Sequence, residues 1–126
     1  MNTIFAVAAG GALGAVARYW MMGRVGHAFG TEFPWATLAV NVLGSAVLGI
    51  LAGLMAFMWS PSPELRAFLV VGVLGAMTTF STFSLDVVLL IERGDWGPAA
   101  LYIVVSVLLS VGALMAGLAA VRGLAA

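Results

Sequence analysis

Residues 35–59 carry no charged side chain, and that run decides the solvent in which the chain folds. A helix crossing the hydrocarbon of a bilayer takes about 20 consecutive apolar residues. Pro34 opens the run, and Ser60-Pro61-Ser62-Pro63 closes it. Proline belongs at such boundaries, because it lacks an N–H and restricts the residue before it. Further apolar stretches cover about 2–25, 63–92 and 96–122, the last two joined by the tight loop Gly94-Asp95-Trp96-Gly97-Pro98. Composition agrees: 63% of the chain is hydrophobic and 8% charged, against about 25% charged in soluble domains. Mean hydropathy is +1.17. The sequence therefore predicts an all-α integral membrane protein: a single four-helix transmembrane domain over 1–126, set in the lipid bilayer and leaving no room for a soluble domain.

The first stretch is expected to stay as a helix and not to be cleaved as a signal peptide. It has no charged n-region, and Arg18 lies within it. Trp20, Trp35, Trp59 and Trp96 fall near span ends, where amphipathic rings settle at the interface. The formal net charge is zero, which argues against nucleic acid, and there is no Cys, which excludes disulfides and thiolate metal sites. One His27 cannot build a histidine metal site alone, and no nucleophile–base–acid set can be assembled. No enzyme is expected.

Four spans put both termini and the 59–64 loop on one side, with Arg66 and Arg122. The other side carries Arg24 and Arg93, with Arg18 deeper in the membrane. Lys/Arg bias orients membrane proteins, and here it is nearly balanced. The chain is expected to insert both ways and pair with itself as an antiparallel dimer. The alternative is a fixed orientation set by a partner or by the first helix.

Gly10-x-x-x-Gly14 and Gly49-x-x-x-Gly53 let helix backbones approach closely, either within the chain or between subunits. Thr37, Asn41 and Ser45 recur at fours, as do Tyr102, Ser106 and Ser110, giving two polar stripes on helix faces. Such stripes serve as interhelical glue or as the wall of a path; Asn41 is the costliest member to bury and the strongest functional candidate.

The third stretch holds Gly72-Val73-Leu74-Gly75-Ala76-Met77-Thr78-Thr79-Phe80-Ser81-Thr82-Phe83-Ser84. Glycines and hydroxyl residues at mid-span are poor helix formers. Broken membrane helices line sites or cavities, and hydroxyls can replace lost backbone hydrogen bonds. A break near 75–79 is expected, with carbonyls free to bind a cation. Phe80 and Phe83 share a face, and a phenyl edge is electropositive. Such edges contact an anion without a full charge that would trap it. Arg18 either draws anions into a vestibule or snorkels to the headgroups. Asp86 pairs with an arginine or sits in a wet vestibule. One acid is also what a small proton-coupled exporter of cationic compounds would use, and that is the rival function.

Gly10-Gly11-Ala12-Leu13-Gly14-Ala15-Val16-Ala17-Arg18-Tyr19, then Asn41-Val42-Leu43-Gly44, then the run from Gly72 to Ser84 resemble the Fluc (CrcB-type) fluoride channels along the whole chain. The resemblance implies a passive, selective fluoride channel of the cell inner membrane that lowers fluoride toxicity. It implies a dual-topology antiparallel homodimer with two pores. It places fluoride among Asn41, Phe80, Phe83, Thr79, Thr82, Ser84, Tyr102, Ser106 and Ser110, with Arg18 in the vestibule. It also implies a structural sodium ion held by the Gly75 and Thr78 carbonyls of both subunits. The chain departs from that pattern at Ala76, where Gly is common, and at Asp86, where Glu is frequent.

Overall fold

A computed structural model describes residues 2–126. Its regular elements are all helical: α1 (Asn2–Phe29), α2 (Trp35–Phe57), α3 (Pro63–Arg66), a π-helical segment (Ala67–Leu74), α4 (Gly75–Met77), α5 (Phe80–Glu92) and α6 (Trp96–Ala125). The pieces from α3 to α5 form one interrupted span, Pro63–Glu92, and the described residues hold 4 helices long and apolar enough to cross a membrane. The protein is a multi-pass membrane protein.

Local chemistry sets the ends. α1 outruns the expected end near residue 25, because Gly26 and His27 continue the helix. Gly30 stops it with φ of 83°, its N–H returning to the Gly26 carbonyl at 2.8 Å. This is a left-handed glycine closure of a helix C-terminus. α2 ends at Phe57, short of Trp59, and α6 continues past Arg122 to Ala125. The third span starts at Ser62, whose Oγ accepts the Leu65 N–H at 3.2 Å, with Pro63 at the first helical position. Proline is suited to that position because its missing N–H has no partner there anyway.

Packing runs through glycine. α2 lies along α6, and α1 along the π segment. A Cβ on Gly49 would collide with the Leu114 carbonyl oxygen, and one on Gly53 would come within 2.8 Å of Val121 Cβ. From the other side, Gly117 faces Ala46 O at 2.7 Å and Ile50 N at 2.9 Å in the same sense. Gly10 and Gly14 meet the Phe68 and Val73 carbonyls of the π segment. Both small-residue motifs are thus used within the chain, the first alternative left open by the sequence. In a bilayer, association rests on such close backbone contact, since lipid tails are as apolar as leucine. The π segment itself was not foreseen; nothing in Ala67–Leu74 distinguishes it from an ordinary apolar helix in sequence.

The buried interior includes Tyr102, Val40, Thr37, Leu38 and Leu90. Large apolar side chains such as Phe5, Leu101, Val107 and Leu108 point outward, which suits a hydrocarbon solvent.

Gly49→Leu should therefore separate α2 from α6. Overpacking of this kind costs about 1–3 kcal/mol or more, read as a lowered melting temperature in detergent. Gly11→Leu, at a position with no atom near its Cβ, should leave that temperature unchanged.

Candidate functional site: a groove at the break in the third span

The third span breaks at Thr78 and Thr79, inside the expected interval. Both are extended, with φ/ψ of −90°/156° and −153°/119°. An extended pair inside a membrane leaves peptide groups without helical partners, at a cost of several kcal/mol each if unpaired. Side chains take those groups. Thr79 N–H donates to Asn41 Oδ1 at 2.8 Å, and Asn41 Nδ2 donates to the Thr79 carbonyl at 3.1 Å. The asparagine amide thus pairs with Thr79 as a neighbouring strand would. Thr79 Oγ1 then caps α5 by accepting the Thr82 N–H at 3.1 Å. Thr78 Oγ1 donates back to the Leu74 carbonyl at 2.9 Å.

These bonds release two acceptors. In an unbroken helix the Gly75 carbonyl would accept the Thr79 N–H, and the Thr78 carbonyl the Thr82 N–H. Both N–H groups are instead bonded to side-chain oxygens.

Beside the break lies an open groove of about 560 Å³. α2 contributes Asn41, Gly44 and Ser45; the break contributes Gly75, Thr78 and Thr79; α5 contributes Phe80 and Phe83; α6 contributes Ser106 and Ser110. No charged side chain lines it. Ser106 Oγ is buried without a hydrogen-bond partner. Such an orphan is uncommon and marks a place where a ligand or water is wanted. Phe80 is 78% exposed, its ring 5.5 Å from that of Phe83.

Eight of the twelve residues that the resemblance places at the site therefore meet in one groove. The others do not. Tyr102 is fully buried behind Phe83, ring centroids 5.0 Å apart, and its hydroxyl donates to Asp86 Oδ2 at 3.0 Å. Asp86 thus has a tyrosine partner and not an arginine. Ser84 Oγ turns back to the Phe80 carbonyl at 3.0 Å. Thr82 lies with Arg18 and Arg24 in a separate cleft of about 690 Å³ along α1. Ser45, on the Asn41 stripe but outside the site expected from the resemblance, lines the groove; its spacing of four from Asn41 was the signal.

The family model described as "CrcB-like protein, Camphor Resistance (CrcB)" matches residues 5–118. The chain belongs to the CrcB family. It is 64% identical to the "Fluoride-specific ion channel FluC" of Rhodospirillum centenum, over 97% of both chains. Identity is 58% to the protein of that name from Nitrobacter winogradskyi, over 94% of both. It is 51% to that of Rhizobium meliloti, over 98% of this chain and 99% of the relative.

For this CrcB-family chain, Asn41→Ala should strand both Thr79 groups and lower stability by about 2–4 kcal/mol. Asn41→Asp keeps an acceptor for the Thr79 N–H but faces the Thr79 carbonyl with a second oxygen, and should also destabilise. Ser45→Ala should be close to neutral. Unfolding in detergent, followed by circular dichroism, separates the three.

Proposed function

We propose that this chain, paired with an antiparallel copy of itself, forms a passive fluoride-selective channel. The observation that carries the reading is the groove at the break. It offers hydroxyls, one uncommitted amide N–H on Asn41 and phenyl rings, and no full charge. Fluoride is small and strongly hydrated, so a pore must replace its water with donors. Ser106 Oγ, without a protein partner, is the donor most plainly available. Phenyl edges add positive potential. Binding that uses only dipoles is weak enough to let the ion leave, as conduction requires. The names of the relatives, up to 64% identical, agree with this ion. Hydrogen fluoride crosses lipid and ionises in a neutral cytoplasm; a passive path lets the trapped anion leave down its gradient.

The groove is a half-channel, open along one side, and a second surface is needed to close it. Support for a second copy of the chain comes from Gly75 and Phe80, both exposed at the break. A Cβ on Gly75 would meet only the Val70 carbonyl oxygen, at 3.6 Å, so nothing in the single chain demands glycine there. The arginine balance supports opposed orientations. The released Gly75 and Thr78 carbonyls are hard oxygen donors of the kind that suit a sodium ion. Contributed by both copies, they would hold it at the contact and neutralise the gathered carbonyl dipoles. Thr79 lines the proposed path as the cap of α5, Thr82 and Arg18 in the cleft along α1 form its vestibule, and Ser84 and Tyr102 support it from behind Phe80 and Phe83.

Liposomes loaded with fluoride and chloride, read with ion-selective electrodes, test the function. Fast fluoride release with negligible chloride release is expected, and release of neither ion from folded dimer would contradict it. Ser106→Ala should leave stability unchanged or slightly raised, since it removes an unpaired buried hydroxyl, while slowing fluoride release. Replacing Phe80 and Phe83 together by Ile should sharply reduce release with the dimer intact. Accessibility labelling of single introduced cysteines should find both orientations in one membrane.

A further inference from the structure

A file of aromatic rings runs from the groove to the start of α2. Phe80 packs on Phe83 at 5.5 Å, Phe83 on Tyr102 at 5.0 Å, Tyr102 on Phe33 at 5.6 Å, and Phe33 on Trp35 at 4.8 Å. The Phe33–Tyr102 contact is edge-to-face, with 82° between the planes. Phe33 belongs to no helix. It sits in the short connection between α1 and α2, yet it packs on the buried cluster of Leu38, Leu90, Ala99 and Tyr102.

That connection is tied down from across the fold. Arg93, at the end of α5, donates from Nη2 to the carbonyl of Glu32, the residue before Phe33, at 2.7 Å. The same guanidinium holds Asp95 through two bonds, at 2.8 and 3.1 Å. One arginine thus joins both loops on this side of the membrane and fixes the backbone from which Phe33 descends.

We propose that Phe33 is a positioning residue for the groove. With Arg93 fixing its loop, its ring holds Tyr102 in place, and Tyr102 in turn sets the orientation of Phe83. This rests on the channel reading, in which the Phe83 ring faces the ion. Tyr102 is held on three sides: by the Asp86 carboxylate at its hydroxyl, by Phe83 on one ring contact and by Phe33 on another. Removing the Phe33 ring frees the side away from the groove, and Tyr102 can withdraw from Phe83. The Phe83 ring edge then samples other directions, although no groove residue has changed. A well-formed aromatic pair shifts such a population roughly threefold to tenfold.

The test uses the full-length protein in liposomes, with Phe33→Leu, Phe33→Tyr and Arg93→Gln. Phe33→Leu keeps an apolar side chain but loses the ring; it should slow fluoride release roughly threefold to tenfold, with the dimer intact and the melting temperature only slightly lowered. Phe33→Tyr keeps the ring and should stay within about twofold of the unaltered protein. Arg93→Gln should fall between them. A second readout does not depend on transport. The chain has 2 tyrosines, so 3-fluorotyrosine gives two 19F signals, assigned with Tyr19→Phe. The Tyr102 signal should shift or split in Phe33→Leu and move less in Arg93→Gln; Phe33→Tyr, which adds a third tyrosine, is read by fluoride release alone. Unchanged release in Phe33→Leu, or a loss matched by an equal loss of folded dimer, overturns the proposal. So does an unmoved Tyr102 signal. If the unaltered protein releases no fluoride, the channel reading fails, while the 19F signal still decides the Phe33–Tyr102 contact.

Discussion

The pairing of the Asn41 amide with the peptide group of Thr79 is the interaction on which the rest of the site depends. Hydrocarbon offers no water to a peptide group that leaves its helix. A break at mid-span therefore survives only where another group supplies one donor and one acceptor in the right places. An asparagine side chain has both, in the geometry of a peptide. Serine is too short to present the pair, and aspartate has no donor at neutral pH. Because Asn41 takes the Thr79 N–H, the Gly75 carbonyl loses its helical partner. Because Thr79 Oγ1 takes the Thr82 N–H, the Thr78 carbonyl loses its own. The same step in the chain starts α5 at Phe80 and places Phe80 and Phe83 on the groove. The contact that stabilises the break thus also shapes the groove.

The groove's electrostatics follow from that economy of charge. Its wall holds an amide, hydroxyls and phenyl rings and no ionised side chain. The ionisable groups stand off. Asp86 is bonded to Tyr102 behind Phe83, and Arg93 and Asp95 pair at a loop. Arg18 and Arg24 border a separate cleft. A full positive charge in the groove would hold an anion too strongly to pass it on. Dipoles fixed by packed helices offer attraction without that trap, and the close glycine contacts of α2 with α6 and of α1 with the π segment keep them fixed.

Much of this was legible before any coordinates. Four apolar spans follow from hydrocarbon thickness alone. The break was readable because Gly75, Thr78 and Thr79 combine poor helix propensity with hydroxyls at the middle of a span. The stripes Thr37-Asn41-Ser45 and Tyr102-Ser106-Ser110 followed from helical period. What the sequence withheld depends on the third dimension. Asn41 is expected to face an ion with its amide; half of that amide's hydrogen-bonding capacity is taken by Thr79, a residue 38 positions away. For Asp86 the sequence leaves an arginine partner or a wet vestibule open, and its partner is a tyrosine on another helix. Thr82 shares a motif with Phe83 but points into the other cleft, because neighbours on a helix face different ways. The π segment left no trace, since eight apolar residues read alike in either helix.

Hydrogen exchange at the Thr79 amide, resolved by residue for the protein in lipid, tests the central claim most directly. If Asn41 Oδ1 holds that N–H, Thr79 should be protected to nearly the same degree as the helical amides of α5, although its backbone is extended. Exchange as fast as in the connection after α1 would contradict it, and would mean that the break is held by something other than Asn41.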